Sequence, residues 1–197
     1  VHSVCERKML KEEFDANEYF LKEFSKNLSE LDEDVQTSEK LIEQMCVQGA
    51  TLLPHIESVV QEKFGNFEVV STEEQIMVPI DDTDFKFKGY IDLVVKTGDG
   101  KYHIIDWKTC SWGWDMRKRS DPMVTYQLTL YKKFFAIKHG IDPSKIDTHF
   151  ILLKRTAKKN HVEFVDVSSG TIKTNNATKL LMSAISNIKS KKAIKNR

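Results

Sequence analysis

The fold is decided by two stretches, Gly89-Tyr90-Ile91-Asp92 and Ile104-Ile105-Asp106-Trp107-Lys108-Thr109. Alternation with a period of two predicts a strand at each. The residues of shared parity are Phe87, Ile91, Leu93 and Val95 on the first strand, and Tyr102, Ile104, Asp106 and Lys108 on the second. Turn residues at positions 97–100 favour a hairpin, which would bring Asp92 and Asp106 together.

Two carboxylates and an amine then share one small volume. Asp106 and Lys108 lie on one strand face and Trp107 on the other, because side chains alternate. Paired carboxylates favour a hard divalent cation, Mg²⁺ or Mn²⁺, and a nearby lysine suits the charge that develops in phosphodiester hydrolysis. The alternative is a simple salt bridge between Asp106 and Lys108, but the flanking apolar strand and the preceding Gly-x-x-Asp strand favour the metal site.

Three motifs in order resemble the PD-(D/E)xK nuclease superfamily, and within it the RecB-like, CRISPR-associated exonuclease-like branch without an iron–sulfur cluster. They are Gly89-x-x-Asp92, Asp106-Trp107-Lys108 and Gln127-x-x-x-Tyr131, and the resemblance extends from about residue 49 to 135. It implies a restriction-endonuclease-like α/β core.

The resemblance also implies roles for individual residues. Asp92, Asp106 and the backbone carbonyl of Trp107 would bind Mg²⁺ or Mn²⁺, and Lys108 would stabilise charge or orient the water. Gln127 and Tyr131, which share a helix face, would lie beside the site.

The same branch has a histidine ligand on a helix before the sheet, and His55 is the candidate by position. The glycine that usually precedes this histidine by four residues is replaced by Thr51, with Gly49 further back. The alternative for His55 is a packed or partly exposed side chain.

Composition indicates one globular domain of 197 residues, 40% apolar and 30% charged. A run long enough for a membrane span and the apolar core of a signal peptide are both missing from this sequence, so we expect an intracellular protein. The chain starts at Val1 rather than Met, which suggests upstream sequence. Three scattered cysteines predict neither a disulfide framework nor a zinc or iron–sulfur site within these residues.

Charge is divided unevenly along the chain. Residues 1–100 contain 10 Lys/Arg and 22 Asp/Glu (10 − 22 = −12), and residues 101–197 contain 20 and 7 (20 − 7 = +13). A basic half favours binding to a phosphate backbone, with mutual neutralisation of the two halves as the alternative.

Aromatic and basic residues follow the second strand directly. We expect nucleic-acid contacts from Trp112, Trp114, Arg117, Lys118, Arg119, Lys154 and Arg155. Tryptophans stack on unpaired bases and cations grip phosphates, so single-stranded DNA or duplex ends are favoured. The alternative buries one tryptophan under the next helix.

The remaining periodicity predicts a mixed sheet of four to five strands flanked by helices. Helices are predicted at 4–27, 38–46, 51–64 with Thr51 as cap, 121–140 and from 171; further strands are predicted at 67–80, 148–154 and 161–167. Residues 1–48 would form an N-terminal helical segment on a core of residues 49–197, with a basic tail. Glu73 and Glu74 are interpreted as solvated acids of the edge strand, with an approach to the metal as the alternative.

The predicted function is a metal-dependent DNA nuclease, an exonuclease in DNA processing, recombination or repair. An idle DNA-binding subunit is the first alternative, although both acids and the lysine are present. A structure-specific endonuclease or an RNA-acting nuclease is the second. The sequence contains no phosphate-binding loop, so we expect no nucleotide cofactor; a separate helicase or recombination protein is the expected partner.

Overall fold

A computed structural model describes residues 1–32 and 37–191. Its helices are α1 His2–Met9, α2 Ala16–Ser29, α3 Glu39–Leu52, α4 Ile56–Phe64, α5 Met116–Ser120, α6 Pro122–His139 and α7 Thr171–Lys189. Its strands are β1 Phe67–Pro79, β2 Lys86–Thr97, β3 Tyr102–Cys110, β4 Ile146–Lys154 and β5 Val162–Asp166. Short 3-10 turns occupy Leu53–His55 and Pro143–Lys145.

The strands of the described residues form one mixed sheet in the order β1-β2-β3-β4-β5. Neighbours are antiparallel except β3 and β4, which are parallel. A parallel pair needs a crossover connection, and α6 lies within it. The α/β class and the mixed sheet predicted from the sequence are confirmed.

Helices cover both faces of the sheet over two apolar cores. One core includes Leu128 and Phe134 from α6, Ile185 from α7 and Phe150 from β4. The other core collects side chains of α1, α2, α3 and α4 against the opposite sheet face, with the indole of Trp107 among them. In the part of the chain that the structure describes, no helix is long and apolar enough to cross a membrane.

The N-terminal helices differ from their predicted bounds. The helix predicted at 4–27 is two helices, because Asp15 caps α2 by accepting hydrogen bonds from the amides of Asn17 and Glu18, both at 2.9 Å. Thr51 is not a cap: it lies inside α3, where its hydroxyl donates to the carbonyl of Val47 at 2.8 Å. The predicted boundary at residue 48 therefore falls within a helix.

The C-terminal half follows its predicted bounds more closely. Asp121 caps α6 by accepting from the amide of Met123, and Gly140 ends the helix at φ +63°. α5 was not predicted; its cap is Asp115. Lys192, Lys195 and Arg197 of the expected basic tail lie outside the described residues.

β2 changes face at Asp92, and the shared parity expected along it is wrong. Ile91 packs in the core under α6, whereas Leu93 and Val95 pack in the opposite core. The β2–β3 ladder runs from Lys96–Tyr102 to Leu93–Ile105, so Asp92 and Asp106 come directly after its last pair. Beyond that pair β2 continues along β1 and β3 continues along β4, which opens a gap between β2 and β3.

Candidate active site

The gap between β2 and β3 holds Asp92 and Asp106. Asp92 Oδ2 accepts a hydrogen bond from the amide of Trp107 at 2.7 Å, a donor that would otherwise serve a sheet ladder. The N–H and C=O of a strand residue point to the same side, so the Trp107 carbonyl faces this gap as well. The structure thus joins Asp92 to the backbone of β3 at the residue next to Asp106.

Asp106 is nearly enclosed, with 2% of its surface exposed. Its Oδ1 accepts from Gln127 Nε2 at 3.0 Å. Its Oδ2 lies 2.7 Å from Lys108 Nζ, yet it has no hydrogen-bond partner, because the ammonium meets it at short distance without hydrogen-bond alignment. One buried oxygen is therefore left with lone pairs for another electrophile.

The carboxyl groups of Asp92 and Asp106 both have raised pKa values in the folded protein. Burial raises the pKa of Asp92 to about 6, assisted by Glu73 and opposed by the Trp107 amide. Burial, followed by the charge of Asp92, also raises the pKa of Asp106 to about 6, with Lys108 opposing. A cation between the two would relieve this cost, since opposite charge favours the ionised form.

Gln127 is positioned by Tyr131, which lies one turn further along α6. Its amide donates to Tyr131 Oη at 3.2 Å as well as to Asp106. The Tyr131 ring lies against Gly89, where an added Cβ would come within 2.6 Å of its Cε1 atom. The absence of a Cβ at Gly89 thus leaves room for the Tyr131 ring, whose hydroxyl fixes the side chain of Gln127.

The donor set suits a hard divalent ion, because two carboxyl groups lie at the gap and one buried carboxylate oxygen lacks a hydrogen bond. Within residues 1–32 and 37–191, no three His, Cys, Asp or Glu side chains are close enough to hold an ion together. Asp92 and Asp106 are the pair of carboxyl groups that could hold such an ion, and the Trp107 amide donates to one of them.

This constellation agrees with comparison to known proteins. The family model described as the PD-(D/E)XK nuclease superfamily matches residues 1–193. The chain belongs to the PD-(D/E)XK nuclease superfamily. Membership places its chemistry among the phosphodiester hydrolases.

Two solved structures are similar to this chain at low sequence identity. A candidate exonuclease from Eubacterium rectale superimposes with a TM-score of 0.55 at 14% identity, over 92% of this chain and 66% of that longer one. The structure of SSO0001 has a TM-score of 0.45 at 18% identity, over 85% and 84%. No curated protein sequence matches this nuclease closely.

His55, the expected metal ligand, is a surface side chain in this structure. It is exposed and stacks on His161, with ring centroids 5.1 Å apart and planes at 18°. The carbonyl of His161 accepts from the amide of Lys154, four residues along β4 from Phe150, the partner of Asp106. At roughly 3.3 Å per strand residue, Lys154 lies about 13 Å along β4 from the level of Asp106. The predicted helix start at Thr51 is not observed. Instead α3 runs through Leu52, and His55 ends the 3-10 turn that follows it.

Helix α1 instead supplies a histidine near the carboxylates. Burial lowers the pKa of His2, while the charge of Asp106 raises it and that of Lys108 lowers it further. One turn later, Glu6 accepts from the hydroxyl of Thr72 on β1 at 3.2 Å. Sequence reasoning missed both; the available signal was their spacing of four residues, away from the buried Val4 and Cys5.

The two acids in the middle of β1 have different environments. Glu74 is paired with Lys138 Nζ at 2.7 Å and with His139, and only 9% of its side chain is exposed, so it is not a solvated acid. Glu73 is exposed. Although the residue is exposed, partial desolvation of its carboxyl group, then the charges of Glu6 and Asp106, raise the pKa of Glu73, and Glu73 in turn raises the pKa of Asp92. For Glu73, the alternative of an approach to the metal stays a prediction.

The loop after β3 presents one tryptophan and hides the other. Trp112 is 75% exposed, whereas Trp114 is 8% exposed and packs edge-on against Phe150 with centroids 5.0 Å apart. Stacking of bases on Trp114 is therefore corrected to a core role, as the alternative anticipated. Arg117 and Lys118 are exposed.

The other cations expected to contact nucleic acid are engaged within the protein. Arg119 donates to the carbonyl of Trp114 at 2.8 Å and pairs with Glu163, which also accepts from Lys154 at 2.9 Å. Arg155 donates to Gln48 at 3.0 Å. The pairing of β5 with β4 brings Glu163 beside Lys154, and the same carboxylate pairs with Arg119.

Proposed function

We propose that this protein is a Mg²⁺- or Mn²⁺-dependent deoxyribonuclease that cuts phosphodiester bonds from DNA ends. Asp106 carries the proposal: it is buried, one oxygen is fixed by Gln127, and the other lacks a hydrogen bond beside Asp92 and Lys108. A carboxylate is left in that condition at a cost, which an ion in the gap would offset.

Each residue then has a task. Asp92 and Asp106, with the Trp107 carbonyl, would hold the ion, which when bound polarises a phosphoryl oxygen and lowers the pKa of water. Gln127 fixes Asp106 so that Oδ2 points to the gap, and the Trp107 amide does the same for Asp92. The Lys108 ammonium is placed to stabilise the negative charge that develops on the phosphate oxygens.

The substrate proposal rests on the surface after β3. An exposed tryptophan followed by two exposed cations, Arg117 and Lys118, offers a stacking surface and phosphate contacts next to the strand that carries Lys108. Stacking needs unpaired bases, so single strands and frayed duplex ends are favoured over intact duplex. A separate helicase or recombination protein would supply unwinding, since this sequence has no phosphate-binding loop.

The test compares linear and circular DNA, each single-stranded and duplex, with Mg²⁺ or Mn²⁺ and with EDTA. We expect linear DNA to be degraded, closed circles to survive, and EDTA or Asp106→Asn to stop cleavage. Cleavage of closed circles would indicate an endonuclease. Binding without cleavage by the wild-type protein would indicate an idle subunit, and faster cleavage of matched RNA would reassign the substrate.

A further inference from the structure

We propose that Glu73 is a third carboxylate of the cation site, acting through a water molecule of the hydrated ion. The inference rests on the proposed function and concerns a residue outside the three sequence motifs. Its grounds are the place of Glu73 in the β1–β2 ladder, its backbone conformation, and the contacts of its neighbour Glu74.

The ladder places Glu73 opposite Asp92. The bridged pairs on either side are Thr72–Leu93 and Glu74–Ile91, and the pair between them is unbridged. This is the point where β2 changes face and where β2 parts from β3. Glu73 thus lies at the same level of the sheet as the two carboxylates, across β2 from the gap.

The backbone at this position is strained. Glu73 has φ +46°, in the left-handed region that a residue with a Cβ seldom adopts, and it does so within a strand of 13 residues. Such conformations cost free energy and persist where the surrounding structure imposes them, which is frequent at functional sites. A glycine would adopt this φ with less strain. The presence of a glutamate here therefore points to a role for its carboxylate.

Glu74 forms the ion pairs described for this part of β1, and Glu73 takes no part in them. Lys138, His139 and the hydroxyl of Ser71 all engage Glu74. Among the residues that the structure describes, no hydrogen bond or ion pair engages the Glu73 side chain, although the charges of Glu6 and Asp106 act on it. Carboxylates whose charges act on one another are unfavourable without a cation, and Oδ2 of Asp106, which lacks a hydrogen bond, belongs to the same acidic group.

The contact we infer is indirect because of distance. In the described part of the chain no three His, Cys, Asp or Glu side chains are close enough to hold an ion directly, so we place Glu73 one water molecule away from the ion. Mg²⁺ keeps several of its waters when one or two carboxylates bind it. A hydrogen bond from such a water to Glu73 spans the remaining distance and orients that water.

The test measures Mn²⁺ binding by calorimetry on the DNA-free protein, so it does not depend on cleavage. Glu73→Gln should weaken Mn²⁺ binding roughly tenfold, as loss of an outer carboxylate typically does. The matched control is Glu68→Gln, an exposed acid on the same strand opposite Lys96, which should bind Mn²⁺ as the wild type does. Glu73→Gly should bind Mn²⁺ equally weakly while keeping its Tm or raising it by up to about 4 °C, because glycine relieves the backbone strain.

The outcomes separate this inference from the proposed function. Loss of binding in Asp106→Asn with unchanged binding in Glu73→Gln would overturn the role of Glu73 alone. Equal weakening by Glu73→Gln and Glu68→Gln would reduce the effect to general charge and overturn it too. A marked drop in Tm for Glu73→Gly would make the residue structural. Wild-type binding in Asp106→Asn, or none in the wild-type protein, would reject the cation site itself.

Discussion

Replacing Gly89 with alanine tests how the site is held. The added Cβ would lie 2.6 Å from Tyr131 Cε1, whereas ordinary contacts begin near 3.4 Å, so the ring or the strand must move by about 0.8 Å. Tyr131 is 8% exposed and packs edge-on against Phe87, which limits its freedom to turn aside. Movement of Tyr131 would displace Gln127 through their 3.2 Å hydrogen bond, and Gln127 would in turn displace Asp106 through their 3.0 Å hydrogen bond.

Two effects of different size follow. Overpacking of this kind costs about 1–3 kcal/mol of unfolding free energy. A displacement approaching 1 Å at a catalytic carboxylate costs up to about 10²-fold in rate. The variant should therefore remain folded at 25 °C and lose most of its activity.

The assay pairs urea unfolding with initial rates on linear DNA at saturating Mn²⁺. The control is Gly98→Ala, in the hairpin turn, where a Cβ meets nothing within 4 Å, and it should match the wild type in both measurements. If Gly89→Ala loses stability but keeps the wild-type rate, then Tyr131 and Gln127 do not position Asp106, and the reasoning fails.

Three further predictions concern charge and the loop. Burial raises the pKa of Asp106 from 3.8 to about 6, so in EDTA the folded wild type binds more protons than the unfolded chain between these values and loses stability as pH rises through them. The unfolding free energy of Asp106→Asn in EDTA should then exceed that of the wild type by up to about 3 kcal/mol above pH 6 and equal it below pH 4. Equal urea midpoints for the two proteins at pH 8 would contradict this. Lys108→Ala should lower turnover at least about 10²-fold while calorimetry shows Mn²⁺ affinity no weaker, and an unchanged rate would leave Lys108 as a salt-bridge partner. Trp112→Ala should weaken single-stranded DNA binding by about 1–3 kcal/mol without a change in Tm, whereas Trp114→Ala should destabilise the fold by about 3–5 kcal/mol; the reverse pattern in fluorescence titration and melting would contradict the exposure of the two rings.

Features set by neighbouring residues could be read from the sequence. The turn at 97–100 places Asp92 opposite Asp106, and alternation puts Asp106 and Lys108 on one face. Likewise Asp121 and Gly140 delimit α6, and a spacing of four puts Gln127 beside Tyr131. Caps, turns and periodicity act within a few residues, so their outcome hardly depends on the rest of the fold.

Other features depended on how distant elements pack. Which histidine approaches the carboxylates was decided by the docking of α1, and by the run of α3 past residue 48, which carries His55 to His161. Glu163 forms ion pairs with Arg119 and Lys154 because β5 pairs with β4. Such contacts join residues far apart in the chain, and their free energy depends on burial and orientation that no local pattern encodes. The sequence by itself determined the carboxylate pair and its lysine, and the tertiary structure decided which further side chains surround them.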